Sequence, residues 1–175
     1  MNIPNILTAI RVLLLPLLLV LYLLNPDPTA LNAWTWAFVG TFVLASFTDF
    51  LDGFIARRYD MVTTMGKFLD PIADKLLVLL ALLILQEMTL VPLWTVFLII
   101  AREFMVTGIR LLAVQKGIVI AAGQLGKAKT AVTLVAMTLI FVTLVDIGIL
   151  LYYIGVALTV ISGIEYFVKN RQIFA

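Results

Sequence analysis

Long apolar blocks, separated by short polar segments, dominate the pattern of hydrophobic and polar positions along the chain. A helix that crosses a bilayer needs about 20 mainly apolar residues, and most of the blocks approach that length. We predict six transmembrane helices, over residues 7–24, 33–54, 71–85, 92–114, 127–145 and 149–168. The pattern therefore predicts an all-α membrane protein with one domain over residues 1–175.

Composition supports a membrane protein and narrows the possible chemistry. Of the 175 residues 63% are hydrophobic and only 13% are charged, whereas a soluble domain is nearer half apolar and a quarter charged. Because the chain has no Cys and no His, a disulfide, a thiolate nucleophile and an imidazole base are excluded. A general base must therefore be a carboxylate, a Lys or a Tyr. The long run after Arg11 lacks a small-residue cleavage site, so we expect a retained helix.

Basic residues gather on one side of the predicted helices. The loops around Asp27, Glu87 and Asp146 contain no Lys or Arg, and all 12 basic residues fall on the other side. Short cytoplasmic loops of membrane proteins carry an excess of Lys and Arg. We therefore predict that both termini are cytoplasmic and that an active-site cavity opens to the cytoplasm.

Four carboxylates interrupt the apolar pattern between the second and third predicted helices. Asp49 and Asp52 are three positions apart, and Asp70 and Asp74 are four apart, so each pair shares one helix face. Residues 57–65 carry charges and no long apolar run, which suits a short connection. Across such a turn, all four carboxylates can point at one place. Ionisable residues inside apolar segments are functional candidates by default.

Carboxylates that converge in this way repel one another, and divalent cations remove that conflict. Two such ions carry a charge that matches four carboxylates. Ligation by oxygen alone, with no Cys or His, favours Mg2+ or Mn2+ over Zn2+. We therefore expect two divalent metal ions, Mg2+ or Mn2+, as cofactors. Carboxylate sites with two metals commonly serve phosphoryl chemistry.

Small residues accompany the carboxylates and complete a longer pattern. Gly53, Ala56 and Gly66 lie on the same faces and leave room for a ligand or a neighbouring helix close to the backbone. Residues 49–74 read D-x2-D-G-x2-A-R-x8-G-x3-D-x3-D. This pattern resembles the signature of the CDP-alcohol phosphotransferase family at every fixed position. The resemblance implies transfer of a phosphatidyl group from a CDP-linked lipid to an alcohol, with release of CMP.

A second group of charges follows the acidic motif. Arg102 lies near the middle of the fourth predicted helix, where an unpaired Arg costs roughly 2.5–3.5 kcal/mol or more. Arg110 is eight positions further on, about 80° around the helix. Lys127 and Lys129 follow a Gly-rich loop. Because Arg and Lys both bind phosphate, we predict a phosphate pocket. Two alternatives stay open: Glu103 could be a structural partner for one Arg, and the lysines could bind lipid headgroups.

Further motifs bear on the acceptor. Residues 2–11 read N-I-P-N-x2-T-x2-R, residues 101–110 read A-R-E-F-x2-T-G-x-R, and residues 122–130 read A-G-Q-L-G-K-x-K-T. They are similar to the branch of the family whose acceptor is sn-glycerol 3-phosphate. The resemblance implies transfer from CDP-diacylglycerol to the 1-hydroxyl of that acceptor, which gives phosphatidylglycerophosphate. It also implies a homodimer in the inner or plasma membrane of a bacterium, with no nucleic-acid partner.

The same resemblance gives each candidate residue a role. The metal ligands would be Asp49, Asp52, Asp70 and Asp74, and Asp74 would also be the catalytic base. The CDP-diacylglycerol site would consist of Asn5, Thr8, Asp49, Asp52, Gly53, Ala56, Arg57 and Gly66. The acceptor phosphate would bind to Arg102, Arg110, Lys127 and Lys129.

Two other functions remain as alternatives. The same chemistry with another phosphate-bearing acceptor, such as inositol phosphate, would also use a basic pocket, whereas serine or free inositol would leave Arg102 and Arg110 less explained. A metal-ion or organic-phosphate transporter is the alternative from a different class. Its usual inverted repeat and midplane site are not evident in the sequence. The sequence leaves open the acyl-chain preference, the regulation and, apart from the resemblance, the oligomeric state.

Overall fold

The computed structural model describes residues 3–59, 64–118, 120 and 123–173. For residues 3–5, 7–8, 49–59, 64–71, 74 and 173, the description covers the backbone alone. Over these described residues the chain forms six α-helices and one short 3-10 helix, and no β-strand. The helices are α1 Ile3–Leu23, α2 Ala33–Tyr59, α3 Thr64–Glu87, α4 Leu93–Gln115, α5 Gln124–Phe141 and α6 Val145–Lys169, followed by the 3-10 turn Arg171–Ile173. The predicted all-helical fold with six long helices is confirmed.

One helix in the described part of the chain, α6, is long and apolar enough to cross a membrane by length and composition. Two shorter apolar stretches, Ala9–Leu23 in α1 and Ala33–Thr48 in α2, also occur there. This finding supports one of the six predicted transmembrane helices among the described residues. The number of membrane crossings, the side of the termini and a cytoplasmic cavity therefore stay predictions.

Two helices begin earlier than predicted. α1 begins at Ile3, before the predicted start at residue 7, so Pro4 lies in its first turn. Pro is tolerated there because the first N–H groups lack helical partners. α3 begins at Thr64, so the predicted start at residue 71, which would put Pro71 in the first turn, is wrong, and Pro71 lies in the helix interior. The apolar run marked only part of α3, because helical hydrogen bonding continues through polar residues as well.

The helix ends around the fifth and sixth predicted segments also needed correction. α5 begins at Gln124, so Gly126 is helical and does not belong to the predicted loop. Asp146 lies in the first turn of α6 and not in a loop. A carboxylate at that position interacts favourably with the positive end of the helix dipole. The apolar pattern could not show this boundary, because Val142 and Leu144 continue the hydrophobic run through the turn.

Three helices end in the same way, by a residue with positive φ. These residues are Thr89 at 57°, Gly117 at 72° and Thr143 at 63°. After Thr143, the N–H of Leu144 donates to the carbonyl of Leu139 at 2.9 Å, as in a Schellman motif. A Gly adopts this conformation without a steric penalty, whereas a β-branched Thr is unusual there. Only the Gly117 end was therefore visible in the sequence.

The chain folds as two compact units. The first comprises Met1–Ala81 and Thr138–Val145, and the second comprises Leu82–Met137 and Asp146–Ala175. In the first unit α1 packs against α2. Phe38 and Phe42 meet Phe141 edge to face, with ring centroids 4.8 and 5.6 Å apart, a geometry that aromatic quadrupoles favour. The prediction of a single domain stays a prediction.

A polar loop connects α1 to α2 in the first unit. Asn32 caps α2, since its Oδ1 accepts from the N–H of Thr35 at 2.9 Å. Asp27 Oδ1 accepts from the hydroxyl of Thr29 at 2.6 Å and from its backbone N–H at 3.0 Å. The Thr29 hydroxyl, followed by the N–H, holds the pKa of Asp27 below its ordinary value. The loop predicted around Asp27 is confirmed, since residues 25–28 are not helical.

The second unit joins α4, α5 and α6. Tyr152 is completely buried, and its hydroxyl lies 2.8 Å from Thr95 Oγ1. Thr95 in turn donates to the carbonyl of Pro92 at 2.7 Å, so Tyr152 is the donor to Thr95. A Cβ at Gly155 would lie 2.7 Å from Thr133 Oγ1, which shows that α5 and α6 approach each other closely there. In this unit α6 thus forms a hydrogen bond with α4 and packs closely against α5.

Candidate functional site

The acidic motif spans the end of α2 and the first half of α3, within the first unit. The backbone is helical at Asp49 and Asp52 in α2 and at Asp70 and Asp74 in α3. This agrees with the helical spacing of the sequence. The side chains of all four lie outside the described residues, so their convergence stays a prediction. The same holds for the other residues assigned to the nucleotide site, Asn5, Thr8, Gly53, Ala56, Arg57 and Gly66.

No group of three or more metal-binding side chains occurs among those that the structure describes, and the acidic motif is outside that set. The two metal ions therefore stay a prediction. The donor set is nevertheless the kind that Mg2+ and Mn2+ prefer, since it consists of carboxylate oxygens without Cys or His.

Arg11 in α1 is a buried cation in the same unit as the acidic motif. Its side chain is 0% exposed, although the charge pattern assigned it only to the cytoplasmic side. Burial of a guanidinium is costly without anions or hydrogen-bond acceptors around it. Arg11 is thus a further candidate residue: the sequence placed it in the motif of residues 2–11 but gave it no role of its own.

A carboxylate connects two of the four predicted phosphate-binding cations. Glu103 Oε1 accepts from Arg102 Nη1 at 3.0 Å and also from Lys129 Nζ. Arg102 Nη2 donates to Ser162 Oγ at 3.2 Å. We call these four residues the Glu103 cluster. Its members come from α4, α5 and α6, so the cluster joins the three helices of the second unit.

Burial within the Glu103 cluster is unequal. The side chains of Arg102 and Lys129 are 10% and 7% exposed, whereas that of Glu103 is 24% exposed. Arg102 Nε is buried without a hydrogen-bond partner among the described residues. Buried polar groups are usually hydrogen-bonded, and one that is not suggests a ligand, an ion or water. Arg102 therefore has an unused donor as well as its two engaged nitrogens.

Two glycines leave room for the side chain of Arg102 in this position. A Cβ at Gly163 of α6 would lie 3.1 Å from Arg102 Cγ, tighter than most contacts of real Cβ atoms. A Cβ at Gly126 of α5 would lie 3.5 Å from Arg102 Nη2, an ordinary contact. A larger residue at 163 would thus require Arg102 to shift. Nothing in the sequence connects Gly163 with the Glu103 cluster.

The second arginine of α4 has different surroundings. Arg110 is exposed, its Nε donates to Tyr166 Oη at 3.3 Å, and its guanidinium carbon lies 5.7 Å from the centre of the Tyr166 ring. Tyr166 is buried beside Val106 and Ile109. Tyr166 is therefore a packing residue that also orients a cation.

The structure brings together two of the four predicted acceptor residues. Arg102 and Lys129 meet through Glu103. Lys127 is exposed on α5. In the part of the chain that the structure describes, neither Lys127 nor Arg110 forms a hydrogen bond or an ion pair with the Glu103 cluster. Glu103, which the sequence left open as a partner for one arginine, pairs with Arg102 and Lys129 together.

Comparison with known proteins identifies the family. The sequence model of CDP-alcohol phosphatidyltransferases matches residues 1–161. A protein of Bacillus subtilis (strain 168), CDP-diacylglycerol–glycerol-3-phosphate 3-phosphatidyltransferase, is 39% identical over 98% of this chain and 96% of its own length. A protein of the same name from Rickettsia bellii (strain RML369-C) is 36% identical over 99% and 97%.

A third relative has a different name. A probable phosphatidylglycerophosphate synthase of Mycobacterium tuberculosis (strain ATCC 25618 / H37Rv) is 38% identical over 94% of this chain and 79% of its own length. Because the family model and these relatives cover nearly the whole chain, the chain belongs to the CDP-alcohol phosphatidyltransferase family. The family resemblance of the acidic motif is thereby confirmed.

Proposed function

We propose that this enzyme transfers the phosphatidyl group of CDP-diacylglycerol to the 1-hydroxyl of sn-glycerol 3-phosphate, giving phosphatidylglycerophosphate and CMP. The names of two relatives that match over nearly their whole length support both substrates. The observation that carries the acceptor assignment is the pair of buried cations, Arg102 and Lys129, which one carboxylate holds together. Arg and Lys at one place form a site for a phosphate group.

We assign the binding of the donor substrate, CDP-diacylglycerol, to the acidic motif. Asp49, Asp52, Asp70 and Asp74 would hold two divalent metal ions, and their carboxylate oxygens suit Mg2+ or Mn2+. When bound, the ions would supply charge stabilisation for the pyrophosphate and for the CMP that leaves. Residues that would contact the cytidine nucleotide are Asn5, Thr8, Asp49, Asp52, Gly53, Ala56, Arg57 and Gly66.

Asp74 is our assignment for the general base. The chain contains no His or Cys, and a carboxylate that local cations keep ionised can accept a proton. The acceptor's 1-hydroxyl would give its proton to Asp74 while its oxygen forms a bond to the phosphorus that carries the diacylglycerol. The bond from that phosphorus to the CMP oxygen then breaks, and CMP leaves with the electron pair. Positioning of the two reactants accounts for much of the remaining rate.

The acceptor phosphate would be held by Arg102, Arg110, Lys127 and Lys129. Arg102 is the best supported of them, because its Nε is buried and has no hydrogen-bond partner among the described residues. Ser162 fixes the other end of its guanidinium through Nη2. Arg110 and Lys127 are exposed and would add charge that attracts an anion.

The membrane arrangement completes the proposal. Six transmembrane helices, with both termini and the substrate cavity on the cytoplasmic side, would leave the acyl chains of CDP-diacylglycerol in lipid while its nucleotide reaches water. The one-sided distribution of the 12 basic residues supports this orientation. We place the enzyme in the bacterial inner or plasma membrane and expect a homodimer.

CMP release by the purified protein in detergent tests the proposal. CDP-diacylglycerol would be supplied with glycerol 3-phosphate, inositol phosphate, inositol or serine in parallel, with Mg2+ or Mn2+ or with EDTA. Release that needs glycerol 3-phosphate and a metal is the expected result. Release with a different acceptor would retain the chemistry of the acidic motif and overturn the acceptor assignment. No release with any acceptor would overturn the proposed function.

A further inference from the structure

The Glu103 cluster contains an anion for which the proposed reaction has no use. We propose that Glu103 is a resident counter-ion of the empty acceptor site: it holds Arg102 and Lys129 until the acceptor phosphate displaces its carboxylate from them. This deepens the proposed function and rests on it, because it concerns the same phosphate site. Glu103 would therefore decide which acceptors can enter that site.

The burial of the two cations favours an anion beside them. Arg102 and Lys129 are 10% and 7% exposed, and they come from neighbouring helices. Two buried like charges without an anion would destabilise the empty site, because a buried charge that lacks a partner retains most of its desolvation cost. Glu103 reduces the charge of this trio from two positive charges to one.

The Glu103 carboxylate forms hydrogen bonds that an oxygen of a bound phosphate could also form. A single oxygen, Oε1 of Glu103, accepts from both Arg102 Nη1 and Lys129 Nζ. Its other oxygen, Oε2, has no hydrogen-bond partner among the described residues. An oxygen of a bound phosphate could form the same two charge-assisted hydrogen bonds. Carboxylate and phosphate would therefore compete for the same donors.

The difference in exposure favours displacement. Glu103 is 24% exposed, more than either cation that it contacts, so an incoming anion meets Glu103 before it reaches Arg102 or Lys129. A phosphate monoester carries about −1.5 to −2 charges at pH 7 and three acceptor oxygens. It can therefore replace one carboxylate oxygen on both cations.

Arg102 would stay in place during this exchange. Ser162 accepts from Nη2 and not from the nitrogen that Glu103 contacts. Only Nη1 of Arg102 and Nζ of Lys129 would change partners. An acceptor without an anionic group offers no replacement for Glu103, so the exchange discriminates against neutral alcohols.

Glu103→Gln tests the proposal, with thermal unfolding of the purified protein in detergent followed by tryptophan fluorescence. Inorganic phosphate and glycerol 3-phosphate are titrated separately. Without ligand, the variant should melt at a lower temperature than the original protein. Each ligand should then raise its melting temperature more, and the apparent Kd of phosphate should fall about tenfold, since one charge-assisted hydrogen-bonding competitor has been removed.

Glu165→Gln is the matched control, because it removes a carboxylate that pairs with Lys169 on the surface of α6. Its ligand-induced shift should equal that of the original protein. A ligand-induced shift in Glu103→Gln that is equal to or smaller than the original would overturn the proposal. Should Glu103→Gln fail to fold, phosphate added during purification must rescue it, and absence of rescue would equally overturn the proposal.

CMP release from the original protein separates this proposal from the proposed function. Release with glycerol 3-phosphate, together with an unchanged shift in Glu103→Gln, would leave the function intact and remove the counter-ion role. A larger shift with phosphate in Glu103→Gln, together with no CMP release, would support the anion exchange and overturn the acceptor assignment.

Discussion

The acidic motif of the first unit and the Glu103 cluster of the second differ in how their charges are compensated. The motif places four carboxylates at helical spacing on α2 and α3. The cluster places two buried cations around a carboxylate of its own. A group of like charges requires counter-charge from elsewhere, whereas a mixed group is partly neutralised within the protein.

This difference has a consequence for binding. In our proposal the acidic motif takes its counter-charge from metal ions, so its function depends on an added component. In the Glu103 cluster the carboxylate of Glu103 takes the place of the ligand's anion, so the charges of the two cations are already partly neutralised before an acceptor binds. Substitutions in the motif should consequently affect turnover most, and substitutions in the cluster should affect recognition of the acceptor.

The largest effect is expected for Asp74→Asn. The amide preserves the shape of the side chain but removes the charge that a metal ligand and a base require. Turnover should fall about 10²- to 10⁴-fold, the range that general acid–base catalysis contributes. CMP release at saturating substrates measures it, and a thermal melt in detergent shows that the variant is folded.

Asp146→Asn provides the control for this substitution. It removes an exposed carboxylate from the first turn of α6 and should retain nearly all the activity. A folded Asp74→Asn protein with full turnover would remove the base assignment. It would also weaken the contrast between the two charge clusters, because the acidic motif would then tolerate loss of a carboxylate.

A smaller but selective loss is expected for Arg102→Ala. The kcat/KM for glycerol 3-phosphate should fall about 10- to 100-fold, since hydrogen bonds to charged groups contribute about 1.5–3 kcal/mol. Arg102→Lys should recover part of that loss, because it keeps the charge without the planar fork. Initial rates with each substrate varied in turn measure the effect.

Arg171→Ala is the comparison variant for Arg102. It removes an exposed cation from the 3-10 turn and should leave both KM values unchanged. An Arg102→Ala protein that loses kcat/KM for CDP-diacylglycerol as strongly as for the acceptor would show that the cluster is a structural support. The proposed division between donor and acceptor regions would then fail.

The sequence predicted the helical fold and the helical backbone of the acidic motif, but it left Glu103 only as an alternative partner for one Arg and did not predict its contact with Lys129. Residue spacing places Asp49 and Asp52 on one helix face regardless of tertiary contacts. The contact between Glu103 and Lys129 depends on how α4 and α5 pack, and local spacing contains no information about that packing. The end of α5 at Thr143 could not be predicted either. A Thr rarely adopts the positive φ that it has there, so its residue type gives no signal for that conformation.

The two arginines of α4 show the same limit. Their separation of eight positions predicted a common side of the helix. In the structure Arg102 is buried with Glu103 and Ser162, whereas Arg110 is exposed and contacts Tyr166. Sequence spacing gave their direction around the helix, but their depth depends on the neighbouring residues of α6.

Arg110→Ala should therefore have a weaker effect than Arg102→Ala. The KM for glycerol 3-phosphate should rise about threefold to tenfold, while the KM for CDP-diacylglycerol changes little, because an exposed charge interacts less strongly than a buried one. Tyr166→Phe keeps the ring and removes the hydroxyl that accepts from Arg110. It should shift the same KM in the same direction, about twofold, since it loses one weak hydrogen bond. Equal changes in both KM values would indicate a structural or nucleotide-facing role for Arg110.

The smallest effect concerns Asp27, a carboxylate that two hydrogen bonds from Thr29 stabilise. These bonds hold the pKa of Asp27 in the folded protein below its ordinary value of 3.8. Ionised Asp27 therefore contributes stability that is complete above the unfolded pKa, about 3.9, and is lost as the pH falls through the lower folded pKa. Melting temperatures of the original protein and Asp27→Asn should differ at neutral pH and converge once the pH falls below the folded pKa of Asp27, which is lower than 3.8.

Thr29→Val sharpens this last test, because it removes the hydroxyl donor and leaves the carboxylate. In that background the difference in melting temperature caused by Asp27→Asn should shrink at neutral pH. A difference that persists in acid, or that is unchanged by Thr29→Val, would show that Asp27 acts through something other than its ionised hydrogen bonds. Hydrogen-bond donors alone would then not be sufficient to compensate a carboxylate in this protein. Only two kinds of compensation would remain in the comparison: metal ions at the acidic motif and an internal counter-ion in the Glu103 cluster.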